Sequence, residues 1–370
     1  MRYGQPAMGT VLLVSKPLAP PWNDGSKNLA RDVAEGMRRH LPRVLSHAGA
    51  TWRPRRGVVE VIHDASEGFA PSTRGQLRVL GRLATGPRDD LWHFFFAPNP
   101  RTSAAARALC RARRVPSVHT VCSRPRDLAR ARRVLFGDRT VVLSRATEAA
   151  LRDAGADVTR IAPCAPDLDA PTDQARREAR ARFRLPEDAP LIVYPGDLEH
   201  GEGAGRILDA HARLSADALL VMACRAKTDA AREAGRALRA RHPSDRIGWI
   251  GETPHIHALL GAADVVALPS SDLFAKVDLP IVLIEAMMLA RAVLVVDDAP
   301  AAELAEADAA RAVAPRVDAI AAALDGLLGD DAERRALGAR ARAAARARYS
   351  RDAMAAAYET LYDELLGVSR

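Results

Sequence analysis

The chain has 370 residues and a mass of 39.8 kDa, 48% hydrophobic and 27% charged, a composition that suits a globular protein with two cores of roughly 150–190 residues each. No apolar run approaches the ~18 residues of a membrane span. Met1–Gly9 does not read as a signal peptide, and the four scattered cysteines, with no CxxC pair, argue against a disulfide framework or structural zinc and for a reducing cytosol. The net charge of +8 and pI near 9.8 suit an anionic partner, although a surface rich in Arg and Ala explains the surplus equally well.

In chain order, short apolar runs predict strands at Val11–Ser15, Val58–Ile62, Trp92–Phe96, Ser117–Val121, Thr140–Leu143 and Arg160–Ala162. A helix carries the stripe Leu29, Val33, Met37, Leu41 and Leu45. Further strands are expected at Leu191–Tyr194, Leu219–Ala223, Ile247–Ile250, Val265–Leu268 and Ala292–Val296, with helices at Ala204–Arg213 and Pro280–Leu289 and a helical segment Asp331–Leu366. Strand–helix alternation of this kind implies α/β architecture with doubly wound parallel sheets. Pro163–Thr172, rich in Pro and Asp, puts a boundary near residue 168. The expected division is 1–168, 169–345, and a last helix, 346–370, crossing back to the first domain. Ligands of open parallel sheets bind at the carboxyl ends of the strands, so the default site is the cleft between two such domains.

Only four lysines occur, Lys16, Lys27, Lys227 and Lys276, and all fall in expected loops, three of them leaving a strand at its carboxyl end. A compact ammonium there suits phosphate, and chance placement explains the pattern as well. Glu285 sits in an otherwise apolar helix after Ile281–Ile284; it needs a polar cleft, where a ribose diol would suit it, or an intramolecular partner such as Arg291. The helix start at Leu279, Pro280 and Ile281 offers backbone N–H groups to an anion. No P-loop, Ser/His/Asp nucleophile set or HExxH is present, and the glycines are too sparse for a dinucleotide fingerprint.

The segment Pro269–Val296 resembles the carboxyl-terminal signature of retaining nucleotide-sugar glycosyltransferases of the GT-B fold, particularly glycosyltransferase family 4. Tyr194–Leu198 resembles the first glycine loop of the family's donor domain, Ile250–Pro254 its base-side loop, and Pro20–Ala30 the glycine-containing loop facing the acceptor. Val142–Ser144 with Gly155 resembles the end of the acceptor domain.

The resemblance implies a GT-B protein, two Rossmann-like domains facing across a cleft. It would move a sugar from a nucleoside-diphosphate sugar to an unknown acceptor, with retention and without metal or cofactor. Glu285 would bind the donor ribose, with Gly196, Thr253, Lys276, Leu279, Pro280 and Ile281 also on the donor side. Gly25, Lys27 and His93 would face the acceptor. The first Glu of the family's pair is Val277 here, and Asp278 beside it is the substitute for the sugar hydroxyls. The family's two diphosphate cations read Asp197 and Glu202, so Arg225 and Lys227, after the next strand, are expected to stabilise the leaving group, with Lys276 beside them.

Two rival readings stand: a non-catalytic nucleotide-sugar-binding protein descended from transferases, and a nucleotide-sugar epimerase or hydrolase on the same fold. The Arg clusters at 111–114 and 124–133 suit peripheral contact with an anionic inner-membrane face, or are solvated helix surface. Nucleic acid is not an expected partner, because aromatics are 4% and no recognition motif occurs.

Overall fold

The computed structural model describes residues 9–67, 71–125, 127–200, 202–226, 228–272 and 277–368. The chain divides into two compact units. One comprises Met1–Cys164, Ala275–Leu279 and Arg351–Arg370; the other comprises Ala165–Phe274 and Pro280–Ser350.

In the first unit the strands are β1 (Thr10–Val14), β2 (Leu41–His47), β3 (Val58–His63), β4 (Leu91–Phe96), β5 (Ser117–Val121), β6 (Arg139–Val142) and β7 (Thr159–Arg160). They form one parallel sheet in the order β3-β2-β1-β4-β5-β6-β7. Val11, Leu12, Leu13, Trp92, Phe94 and Phe95 are enclosed, as expected of central strands covered on both faces. Its helices are α1 (Gly25–Gly36), α2 (Thr73–Thr85), α3 (Pro100–Arg113), α4 (Ala131–Val134) and α5 (Arg145–Asp153), with a final helix from the end of the chain.

The stripe Leu29–Leu45 is not one helix. α1 stops at Gly36, Met37 turns extended at φ −61° and ψ 130°, and Leu41 and Leu45 belong to β2. Pro42 has no N–H to give a helix, and an interval of four residues puts two leucines on one face of either element. Lys27 likewise lies in the first turn of α1 rather than in a loop, its N–H bonded to the Asp24 cap at 3.2 Å.

The second unit contains β8 (Leu191–Tyr194), β9 (Leu219–Ala223), β10 (Ile247–Ile250), β11 (Val265–Leu268), β12 (Ala292–Val296) and β13 (Arg311–Val313), parallel in the order β10-β9-β8-β11-β12-β13. Around them lie α6 (Asp173–Arg182), α7 (Gly203–His211), α8 (Asp229–Arg241), α9 (Ile256–Ala262), α10 (Ile281–Met288), α11 (Val317–Gly329) and α12 (Asp331–Arg348). The five strands expected here are all present at the expected limits; β13, three residues long, opening on Arg311 and flanked by alanines, carries too little pattern to be seen in the sequence.

The tail expected as one helical segment is two helices, α12 and α13 (Arg351–Leu366). α13 packs on α1, where a Cβ at Gly36 would sit 2.5 Å from the Ala355 Cβ. Glu359 of α13 is buried, and its Oε1 accepts the backbone N–H groups of Arg38, Arg39 and His40 at 2.9, 2.6 and 3.0 Å. All four cysteines are free and buried. Among the described residues no helix is long and apolar enough to cross a membrane.

Candidate functional site

Strand order reverses between β8 and β11 in the second unit, so the crevice outside the carboxyl ends of those two strands is where a ligand of this fold sits. Tyr194 ends β8 fully buried, and its hydroxyl donates to the Asp197 carbonyl at 2.8 Å. Burial pushes that phenol well above its ordinary pKa. Gly196 and Gly203 are required by packing. A Cβ at Gly196 would lie 2.1 Å from Tyr194 Cζ, and one at Gly203 would lie 1.9 Å from Ser270 Oγ. Asp197 turns its Oδ1 back into its own loop, accepting the N–H groups of Glu199 and His200 at 2.7 and 3.1 Å.

Glu202 precedes α7 in the left-handed region, at φ 57°. One turn on, Arg206 donates from Nη2 to Glu202 Oε2 at 2.6 Å and from Nη1 to Ser271 Oγ at 2.5 Å, with the Pro269 carbonyl 3.4 Å away. Arg206 therefore spans from the element after β8 to the loop after β11.

On the other side of β8, Arg225 follows β9 and approaches Glu252 Oε2 at 3.4 Å. Thr253 Oγ1 accepts the His255 N–H at 3.1 Å and so shapes the turn into α9. From α9, His257 Nε2 stands 3.1 Å from Glu285 Oε1 of α10. The Glu285 side chain is 11% exposed. Its neighbour Arg291 instead donates to the carbonyls of Leu289 and Ala263 at 3.1 and 3.2 Å, so the intramolecular partner is His257 and not Arg291. Among the described residues no side chain caps the start of α10. Leu279, Pro280 and Ile281 are buried there, Leu279 counting with the first unit.

In the first unit Asp278 is buried. Its Oδ2 accepts the hydroxyl of Ser144, the residue that caps α5, and its N–H reaches the Cys122 carbonyl at 3.2 Å. Val277 lies against α1, where a Cβ at Gly25 would come within 2.5 Å of Val277 Cγ2. Lys27 is buried with its ammonium 5.5 Å from the Trp22 ring centroid. Lys16 reaches the Asp24 carboxylate at 2.7 Å. Lys227 and Lys276 lie outside the described residues.

His93, expected to face the acceptor, is enclosed in the first unit. Nδ1 is 2.6 Å from the Tyr362 hydroxyl of α13 and Nε2 is 2.7 Å from Thr120 Oγ1, which in turn lies 3.0 Å from the Tyr358 hydroxyl. Burial holds its pKa well below the usual histidine value. Both nitrogens are used in the interior, so the acceptor assignment is corrected: His93 joins β4 and β5 to α13.

His257, Arg206 and Tyr194 were not anticipated as site residues. The Glu202–Arg206 spacing of four carried a signal for one of them, because opposite charges one helical turn apart meet.

Residues 175–344 match the family model described as glycosyl transferases group 1. This stretch is similar to the group 1 glycosyl transferases, and it includes Gly196, Arg206, Arg225, Thr253, His257 and Glu285.

Over the whole chain the fold is GT-B, as three solved structures show. Sucrose-phosphate synthase from Thermosynechococcus elongatus is 19% identical, over 97% of this chain and 100% of that one, with a TM-score of 0.76. HepE of Anabaena, in complex with UDP-glucose, is 17% identical over 96% and 100%, with a TM-score of 0.73. The UDP-forming α,α-trehalose-phosphate synthase from Burkholderia xenovorans is 14% identical over 95% and 99%, at 0.65. No curated protein sequence matches.

Proposed function

We propose that the protein transfers a sugar from a nucleoside-diphosphate sugar to an acceptor, with retention and without a bound metal. The observation that carries the reading is Glu285, a nearly enclosed carboxylate at the carboxyl edge of the second unit's sheet with an oxygen held by His257. A carboxylate so fixed can accept two hydrogen bonds from a ribose diol without reorganising. HepE, of the same fold, holds UDP-glucose, which makes UDP-glucose the first donor to try.

In this reading residues 169–345 take the donor and residues 1–168 the acceptor. Gly196 lets the glycine loop approach the phosphates, Thr253 shapes the base side, and Leu279, Pro280 and Ile281 present the start of α10. Arg225, with Lys227 and Lys276, supplies positive charge to the departing diphosphate, for which one well-placed donor contributes about 3–4 kcal/mol. Acceptor contacts belong to the first turn of α1, at Gly25 and Lys27. Asp278, engaged by Ser144, is given no chemical step.

The test is incubation with UDP-, GDP- and ADP-glucose together with a panel of hydroxyl acceptors (free sugars, sugar phosphates and lipid-linked glycans) in the presence of chelator, following nucleotide release and the anomeric configuration of the glycoside formed. Release that survives chelation and gives the retained anomer supports the reading; an inverted anomer or a strict metal requirement overturns those parts of it. Asp197 and Glu202 at the family's cation positions favour a second reading, a nucleotide-sugar-binding protein without turnover. Nucleotide binding with no release from any donor would select it.

We place the protein in the cytoplasm, at the inner membrane face. Arg101 and Arg111 on α3 and Arg132 and Arg133 on the adjacent α4 are exposed, and between residues 91 and 137 Asp127 is the single acid. Each such charge is worth about 1 kcal/mol beside an anionic bilayer. Sedimentation with vesicles containing anionic lipid, compared with neutral vesicles, checks this.

A further inference from the structure

We infer that Arg206 supplies the positive charge for the donor diphosphate that positions 197 and 202 lack, and that Glu202 competes with the diphosphate for it. The inference rests on the donor reading above and adds to Arg225 a second residue that recognises the phosphates, from the β11 side of β8.

Four observations converge on it. The sheet order puts the ligand crevice between β8 and β11, and the Arg206 guanidinium is bonded across those two strands' trailing segments, from Glu202 at one side to Ser271 and Pro269 at the other. The Asp197 carboxylate is turned into its own loop, where Oδ1 accepts two backbone N–H groups. The Arg206 side chain is 17% exposed while the Glu202 side chain is 79% exposed. Finally, Gly203, between the two members of this pair, leaves no room for a Cβ against Ser270, which keeps the two loops in direct contact beside the guanidinium.

An exposed carboxylate binds a guanidinium weakly, because water screens the pair and the side chain gives up freedom to make it. A diphosphate offers more charge and two oxygens in the geometry of the guanidinium fork. Arg206 thus has a weak partner that a diphosphate can displace. It also has a fixed second anchor, Ser271, that keeps it aimed at the crevice. The arrangement makes opposite predictions for the two members of one salt bridge, which a structural pair would not.

The test is calorimetric titration of the full chain with UDP, GDP and ADP, followed by the monophosphate of whichever diphosphate binds. R206A is expected to weaken the diphosphate about 10- to 100-fold, the range of a lost charge-assisted hydrogen bond, and the monophosphate less than about threefold. R206K should recover part of the loss. E202Q should tighten the diphosphate and leave the monophosphate unchanged. Unaltered diphosphate affinity in R206A overturns the inference, as does an equal loss of mono- and diphosphate. Should R206A fail to fold, E202Q decides alone: unchanged or weaker diphosphate binding overturns it. If the wild type binds none of the three, the donor reading fails first and the inference falls with it. Binding retained in the wild type and lost in E285A, but not in R206A, leaves the donor reading intact and removes only Arg206.

Discussion

Glu285 Oε1 lies 3.1 Å from His257 Nε2, so one oxygen of the candidate ribose ligand is held by the preceding helix. The contact ties α9 to α10 at the carboxyl edge of the second unit's sheet. It fixes which way the carboxylate faces. E285A should weaken nucleotide binding about 10- to 100-fold, as loss of hydrogen bonds to a charged group implies. H257A should weaken it by a smaller factor, since it removes the orienting partner and leaves the carboxylate. Titration of both variants checks the order of the two effects.

The contact of Gly203 with Ser270 predicts a packing cost rather than a conformational one. A Cβ at Gly203 would meet Ser270 Oγ at 1.9 Å and Ser270 Cβ at 3.0 Å. G203A should destabilise the protein by about 1–3 kcal/mol, as overpacking does. In an S270A background the cost should fall, because the nearer atom is gone. Urea unfolding of the four proteins in the cycle measures the coupling.

A second stability effect is expected at α13. Glu359 Oε1 accepts three backbone N–H groups, from Arg38, Arg39 and His40, in a buried setting. E359A strands three donors at once and should cost at least about 1–3 kcal/mol, the range for a single unsatisfied buried group. E359Q keeps an acceptor oxygen and should cost less. Thermal melting of the two variants distinguishes them.

Acid should destabilise the first unit through two buried histidines. Burial pushes His119 down to about 4 and holds His93 well below the usual value of 6.5. Between those limits the unfolded chain binds protons that the folded chain refuses. Each histidine's contribution is therefore complete above pH 6.5 and falls by about 1.4 kcal/mol per pH unit as pH drops toward the folded pKa. Urea midpoints measured from pH 7 to 4.5 should decline, and less so in H119Q. A flat profile would show that neither ring is kept neutral.

Much of the second unit is readable in sequence because its central strands are enclosed on both faces. Leu191–Tyr194 and Val265–Leu268 are uninterrupted apolar runs, and the carboxyl-edge loops follow directly from them. β2 is hidden by Pro42, Arg43 and Ser46, which break the apolar run, and by a leucine interval that fits a helix too. Whether a histidine at a strand faces a cleft or the core depends on what packs over it. For His93 that cover is Tyr362, 269 residues away. Arg206 is hidden for the same reason: half of its pair, Glu202, is local, but Ser271 lies 65 residues along the chain.

Whether Glu285 holds a nucleoside diphosphate is read by calorimetric titration with UDP, GDP and ADP of the wild type and of E285A. The wild type is expected to show saturable one-site binding of one of the three, weakened at least about tenfold in a folded E285A. Wild-type protein that is folded yet binds none of them, or E285A that binds as tightly as the wild type, would contradict that expectation.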